Sequence, residues 1–163
     1  NIMNIKEGQQ LPDSELFFLD SNGPQKIKSK DLFKDQKVIL IGVPGAFTKV
    51  CSTQHLPGYL KNFEAAKQKG VTKIVCISVN DPNVMKAWGE SQKVDDKIFM
   101  AADPYYEFTK SIGAEIDRTD RGLGIRSTRY TMLVENNYVT VVKEEKDTGT
   151  CEISAAENFI KDI

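Results

Sequence analysis

With 163 residues and a formal net charge of −1, the chain is long enough for a single domain (1–163) with its own core. It is too evenly charged to resemble a nucleic-acid binder, since no Lys/Arg cluster stands out. No apolar stretch reaches the roughly 20 residues that span a bilayer, so no membrane partner is expected. No charged-then-apolar leader opens the chain, and a cytoplasmic location is expected, with an organelle left open because Asn1-Ile2-Met3 does not begin with Met.

The first 37 residues are polar and rich in turns, with a short strand expected at 16–19, a turn at 20–24 and one helical turn at 31–33. Residues 38–43 (V-I-L-I-G-V) form an apolar run, the pattern of a strand covered on both faces, and Pro44-Gly45 ends it. Beyond Cys51 the residues Leu56, Tyr59, Leu60, Phe63 and Ala66 recur at helical spacing, so Cys51 falls in or beside the first turn of a helix. Pro57 lies inside that pattern and should kink the helix or delay its regular start. A second buried strand is expected at 74–79, followed by a helix capped by Asp81 and opened by Pro82 that carries Val84, Met85 and Trp88. A third strand at 98–102 precedes Asp103-Pro104 as the next cap, with its helix ending near Gly113.

Residues 114–128 show no periodicity. Strands at 130–135 and 138–143 joined by Asn136-Asn137 read as an antiparallel hairpin, and Ser154 with Glu157 as a capping box for a last helix. The expected architecture is a three-layer α/β domain whose central sheet is mixed, because a hairpin is added to parallel βαβ units.

The chain has three cysteines, an odd number, widely spaced; that is no secreted disulfide framework and implies at least one free thiol in a reducing compartment. Cys51 is the candidate nucleophile: a helix start offers unpaired N–H groups and a positive dipole end, which favour a thiolate. The bland alternative for any such cysteine is a small buried hydrophobe. Thr48 stands where a Cys-x-x-Cys site would hold its second thiol, so the chemistry is that of a lone sulfur; Thr48 reads either as helix N-cap or as a hydroxyl bonded to thiolate or substrate. His55, the only histidine, shares a helix face with Cys51 and reads on position alone as structural or tuning. A lone histidine without a close cysteine pair gives a zinc site little support. Arg129 directly precedes Tyr130, where a strand end could aim its guanidinium at a site above the sheet, and Arg126 lies close by. Cys76, inside an apolar strand, reads as buried and inert, whereas Cys151, in the polar loop after Asp147-Thr-Gly-Thr, reads as exposed and movable.

These residues carry a resemblance over nearly the whole chain. Pro44-Gly-Ala-Phe-Thr48-Lys-Val-Cys51-Ser, with His55-Leu-Pro-Gly58, Ser78-Val-Asn-Asp-Pro82, Trp88-Gly89 and Arg126-Ser-Thr-Arg129-Tyr130, resembles peroxiredoxins of the type II, or peroxiredoxin 5, subfamily. The resemblance implies a thioredoxin-like fold and a thiol-dependent peroxidase for hydrogen peroxide and small alkyl hydroperoxides. It would use no cofactor and no metal, act as a homodimer, and take glutathione, glutaredoxin or thioredoxin as reductant. It makes Cys51 the peroxidatic cysteine, with Pro44 shielding it, Thr48 bonding the peroxide and Arg129 activating both. Val50, Gly45, His55 and Arg126 would surround the substrate. Lys49 departs from the proline common in the family. Cys151 aligns with the resolving cysteine of animal peroxiredoxin 5 only after a shift of one or two residues, and plant-type members have a cysteine at the place of Cys76 instead. Resolution by Cys151, less readily by Cys76, and direct reduction by an external thiol all stand as readings. From other classes, the rivals are a redox-responsive binding or holdase protein and a monothiol disulfide exchanger.

Overall fold

The computed structural model describes residues 3–163; residues 1–2, on which the reading of the chain's opening rests, lie outside the described part. The strands are β1 (Glu15–Asp20), β2 (Gly23–Lys28), β3 (Lys37–Gly42), β4 (Lys73–Ser78), β5 (Ile98–Ala102), β6 (Glu115–Arg118), β7 (Gly124–Ser127), β8 (Tyr130–Glu135) and β9 (Tyr138–Glu144). The helices are α1 (Ser29–Phe33), α2 (Leu56–Lys61), α3 (Phe63–Gln68), α4 (Pro82–Ser91), α5 (Glu107–Ser111) and α6 (Ala156–Lys161). One mixed sheet runs in the order β2-β1-β5-β4-β3-β8-β9, parallel across β5, β4 and β3 and antiparallel elsewhere.

Both faces of the central strands are buried, which is why they read as unbroken apolar runs. Ile39, Ile41, Ile74 and Cys76 point into a core with Leu56 and Tyr59 of α2, Ala66 of α3, Met85 and Trp88 of α4 and Phe159 of α6. Val38, Leu40, Val75 and Ile77 point the other way, onto Leu32 and Phe33 of α1, Phe108 of α5 and Ile112 just after it. The hairpin turns at Asn136 and Asn137, both at positive φ (48° and 71°), the geometry that suits asparagine in a two-residue turn. Asp81 caps α4 by accepting the Val84 N–H at 2.9 Å, as its place before Pro82 implied.

Four expectations need correction. The turn at 20–24 is shorter than expected and gives way to β2, an edge strand of alternating exposure that tolerates Pro24 and offers no apolar signal. Residues 114–128 hold a separate two-stranded sheet, with Glu115 opposite Ser127 and Arg118 opposite Gly124; no residue of β6 is fully buried, so no hydrophobic period marks it. Asp103 does not sit at the start of its helix: Tyr106 at φ 44° intervenes, and the Asp103 carboxylate reaches forward to the amides of Phe108 and Thr109 at 3.3 and 2.8 Å. Ser154 forms no capping box, because its hydroxyl is committed to Glu145 Oε2 at 2.6 Å and α6 starts without a side-chain cap.

Gly42 lies opposite Tyr130 in the β3–β8 ladder, and the tyrosine ring occupies the space a Cβ would need. Gly42→Ala should therefore lower stability by about 1–3 kcal/mol, the usual cost of overpacking, as read by urea unfolding.

Candidate active site

Pro44 to Cys51 is fastened from three directions. Val43 N–H donates to the Ile77 carbonyl (3.1 Å) and Ala46 N–H to Asn80 Oδ1 (2.9 Å), which also accepts from Ser78 Oγ at 2.6 Å. The Thr48 hydroxyl donates to the Gly45 carbonyl at 2.6 Å, which leaves its lone pairs facing outward as acceptors. Arg126 donates through Nη1 to the Pro44 carbonyl (3.3 Å) and through Nε to the Leu123 carbonyl (2.9 Å). A Cβ at Gly45 would stand 2.6 Å from Arg126 Nη1 and would displace that guanidinium.

The helix begins immediately before Cys51. Its opening bond runs from Ser52 N–H to the Thr48 carbonyl at 3.0 Å, so the amides of Val50 and Cys51 belong to the turn that has no intrahelical carbonyl to meet. Residues Cys51–His55 form a π-turn, with Leu56 N–H bonded to the Cys51 carbonyl. Pro57 accounts for it: the ring has no N–H and crowds the carbonyl four residues back, and a widened turn relieves both. The regular start is thus delayed, as the sequence suggested, and Cys51 and His55 both point into the core.

Arg129 completes the site from across the sheet. Its Nη2 donates to Cys51 Sγ at 3.2 Å, its Nη1 to His55 Nδ1 at 3.1 Å, and Nε and Nη2 share the Thr148 carbonyl at 3.2 and 3.0 Å. Arginine is only ever a donor, so His55 Nδ1 must accept and the ring proton resides on Nε2, which donates to Thr131 Oγ1 at 3.0 Å. Thr131 passes its own proton to the Ser154 carbonyl (2.9 Å), as does Tyr59 at 2.6 Å. Burial first, then the neighbouring Arg129 charge, lowers the His55 pKa to about 3, so the imidazole is neutral. A cavity of about 610 Å3 lined by Phe63, Lys73, Phe99 and Met100 opens at the opposite end of the sheet and includes none of these residues.

The redoxin family model matches residues 6–160. Peroxiredoxin-2D of Arabidopsis thaliana is 42% identical over 158 residues, 96% of this chain and 97% of its own, and peroxiredoxin-2C of Oryza sativa subsp. japonica is 43% identical over the same shares. The chain belongs to the redoxin family, as a type II peroxiredoxin. Among solved structures, reduced Prx3 of Vibrio vulnificus in complex with H2O2 superimposes with a TM-score of 0.92 at 42% identity, covering 97% of this chain and 98% of its own. Peroxiredoxin 5 of Alvinella pompejana gives 0.85 at 34% identity, with 96% of each chain covered. The protein is accordingly an enzyme, a thiol-dependent peroxidase with a thioredoxin-like fold that acts on a peroxide and draws on a thiol reductant. Neither rival, the holdase nor the disulfide exchanger, is favoured by these relatives.

Of the residues picked out in the sequence of this peroxiredoxin, Cys51, Arg129, Thr48, Pro44, Gly45, Val50 and Arg126 converge on one end of the sheet. His55 does not fit a substrate contact: it is fully buried with both ring nitrogens engaged, one by Arg129 and the other by Thr131. Cys76 is buried in mid-strand as expected, and desolvation pushes its thiol up. Cys151 is less free than its loop implied: half-buried, near Ser154 Oγ at 3.9 Å, with its thiol also raised by burial. Thr131, Tyr59, Asn80 and Thr148 were not singled out. Thr131 was within reach, on β8 and two residues after Arg129, which directly precedes that strand, a spacing that puts both on one face. Thr148 acts through its carbonyl, which no side-chain pattern announces.

Neutral burial of His55 has a definite pH signature. Between the unfolded value of 6.5 and the folded value of about 3, the unfolded chain binds a proton that the folded chain refuses, so stability is full above pH 6.5 and falls as pH falls. Relative to His55→Gln, which cannot titrate, the wild type should lose on the order of 1 kcal/mol per pH unit below 6.5 in urea unfolding, and the gap should stay constant above it.

Proposed function

We propose that Cys51 is the peroxidatic residue, that hydrogen peroxide and small alkyl hydroperoxides are its substrates, and that Arg129 and Thr48 orient them. The observation that carries this is the 3.2 Å contact between Arg129 Nη2 and a Cys51 sulfur that is itself fully buried. A buried cation requires a compensating anion, and among the described residues no carboxylate pairs with Arg129, which leaves the sulfur to take that role. The thiolate attacks the nearer peroxide oxygen, the O–O bond breaks, Cys51 becomes a sulfenic acid, and the departing hydroxide or alkoxide takes up a proton to leave as water or alcohol. Thr48 Oγ1, already donating to Gly45, accepts from the peroxide hydroxyl, while Arg129 and the amides of Val50 and Cys51 stabilise the charge that builds on the oxygens. Pro44 and Gly45, held by Arg126, wall this space from solvent.

For the second step, we infer that Cys151 condenses with the sulfenic acid. Cys76 is the poorer candidate because it is held on both sides by strand ladders, opposite Ile41 and Met100. The disulfide then passes to glutathione, glutaredoxin or thioredoxin. Three free thiols suit a reducing compartment such as the cytoplasm. Exposed Phe47 and Tyr105, in the loops after β3 and β5 at the Cys51 end of the sheet, support a homodimer through that end.

Cys51→Ser should abolish peroxide consumption with any thiol reductant, and Arg129→Met should slow Cys51 oxidation in rapid mixing by roughly 10²- to 10³-fold. Turnover retained by the serine variant would sink the assignment. One equivalent of peroxide should yield a Cys51–Cys151 disulfide by peptide mass mapping; a persistent sulfenic acid or a glutathione adduct would instead name an external resolver. Sedimentation should give twice the mass of one chain, reduced to one chain by Phe47→Ser with Tyr105→Ser; a single-chain mass for the wild type would reject the dimer.

A further inference from the structure

Glu145 is nearly buried, at 7% exposure, and lies outside the reacting groups, yet three donors converge on its Oε2: Glu152 N–H at 2.7 Å, Ser154 N–H at 2.8 Å and Ser154 Oγ at 2.6 Å. Its Oε1 lies 3.4 Å from the Thr150 hydroxyl, whose shorter bond, 2.9 Å, goes to the Asp147 carbonyl. We propose that Glu145 is a positioning residue that latches the loop of residues 146–153 in the seat from which Thr148 aims Arg129. It thereby sets the balance between oxidation of Cys51 and its resolution. The inference rests on Cys151 being the resolver.

The latched loop is tied to the active site at two carbonyls. Thr148 gives its oxygen to Arg129 Nε and Nη2, and Arg118 Nη2 adds a bond to the Thr148 hydroxyl at 3.3 Å. At the other end Ser154 gives its oxygen to Thr131 and Tyr59, the tail of the chain that starts at His55. Glu145 itself is anchored by its N–H to the Arg129 carbonyl at 2.8 Å, so the carboxylate that closes the loop is fixed to the residue the loop orients. Cys151 lies between the two ties and opens onto Thr53, Gln54, Pro57 and Gly58, whereas Cys51 faces inward against Arg129.

Because Cys151 opens onto Thr53, Gln54, Pro57 and Gly58 while Cys51 is turned inward onto Arg129, the bond between the two sulfurs forms, in this proposal, once the loop leaves its seat. The sulfenic acid of Cys51 and the thiol of Cys151 then give a disulfide and one water, with no outside oxidant. A second peroxide competes for the same sulfenic acid, oxidising it to the sulfinic acid and leaving as water. A seated loop therefore favours the first oxidation, because Arg129 keeps its acceptor, and withholds Cys151. A released loop does the reverse.

Glu145→Gln keeps the size and removes the charge. Rapid mixing of the reduced variant with peroxide should show Cys51 oxidation slowed and disulfide formation hastened, each by roughly fivefold, the effect of trading charge-assisted hydrogen bonds for neutral ones. The sulfinic fraction at excess peroxide should fall in step. A role in general stability alone would not move the two rates in opposite directions, and rates changed in the same sense, or unchanged, overturn the latch. Ser154→Ala, which keeps the carboxylate and removes one donor, should shift both rates the same way by less and serves if the glutamine variant does not fold. Absence of the Cys51–Cys151 disulfide in the wild type would overturn the resolver reading and this one with it. Its presence with unaltered rates in both variants overturns the latch alone.

Discussion

The site depends on a buried guanidinium, Arg129, set against a cysteine sulfur at 3.2 Å. Removing a full charge from water is costly unless every donor is met and a counter-charge is near. Those demands explain the neighbourhood: the Thr148 carbonyl meets Nε and Nη2, His55 Nδ1 meets Nη1, and neither acceptor cancels the charge. The sulfur is left as the place where negative charge is most stabilised. A carboxylate in place of His55 would satisfy the geometry equally well but neutralise the cation, and the field at Cys51 would be lost. A histidine held neutral at a pKa of about 3 supplies a lone pair without a charge.

The direction of the hydrogen bonds is determined by one end. Because arginine only donates, His55 must accept at Nδ1 and donate at Nε2, and Thr131 must then pass its proton to Ser154. A one-way chain of this kind has a single arrangement, which fixes the guanidinium plane without a salt bridge. The chain starts from a π-turn that accommodates Pro57 and in which His55 is buried, as Cys51 is. Cys51 and His55, four residues apart, would share a face in a regular helix as well, and the widened turn keeps them there, both buried, while it accommodates Pro57.

Much of this was legible in the residues. The apolar run into Pro44-Gly45 and the helical spacing after Cys51 placed the sulfur at a strand-to-helix junction, and Arg129 before Tyr130 placed a cation at a strand end above the same sheet. What stayed hidden acts through groups with no sequence signature. Thr148 contributes a carbonyl, Glu145 looks like one more charge in a polar stretch, and Ser154 read as a helix cap because its alternative partner lies nine residues back. β2, β6 and β7 were missed for a related reason: β2 alternates in exposure but its half-buried residues are Gly23, Gln25 and Ile27, and neither β6 nor β7 buries an apolar side chain, so no apolar alternation marks them.

Cys76 and Cys51 belong to the same core, so proximity to the active centre does not decide which cysteine reacts. Their tethers differ. Cys76 is paired in both directions across the sheet and its thiol is raised by desolvation and by the charge of Cys51, so it can neither move nor ionise readily. Cys51 sits where backbone amides are unspent and a guanidinium is aimed at it. Cys151 lies in a loop held by the Glu145 carboxylate and by the ties of Thr148 to Arg129 and Arg118, none of which is a strand pairing. One fold thus gives the same side chain three different settings, and the difference lies in what the backbone on either side is free to do.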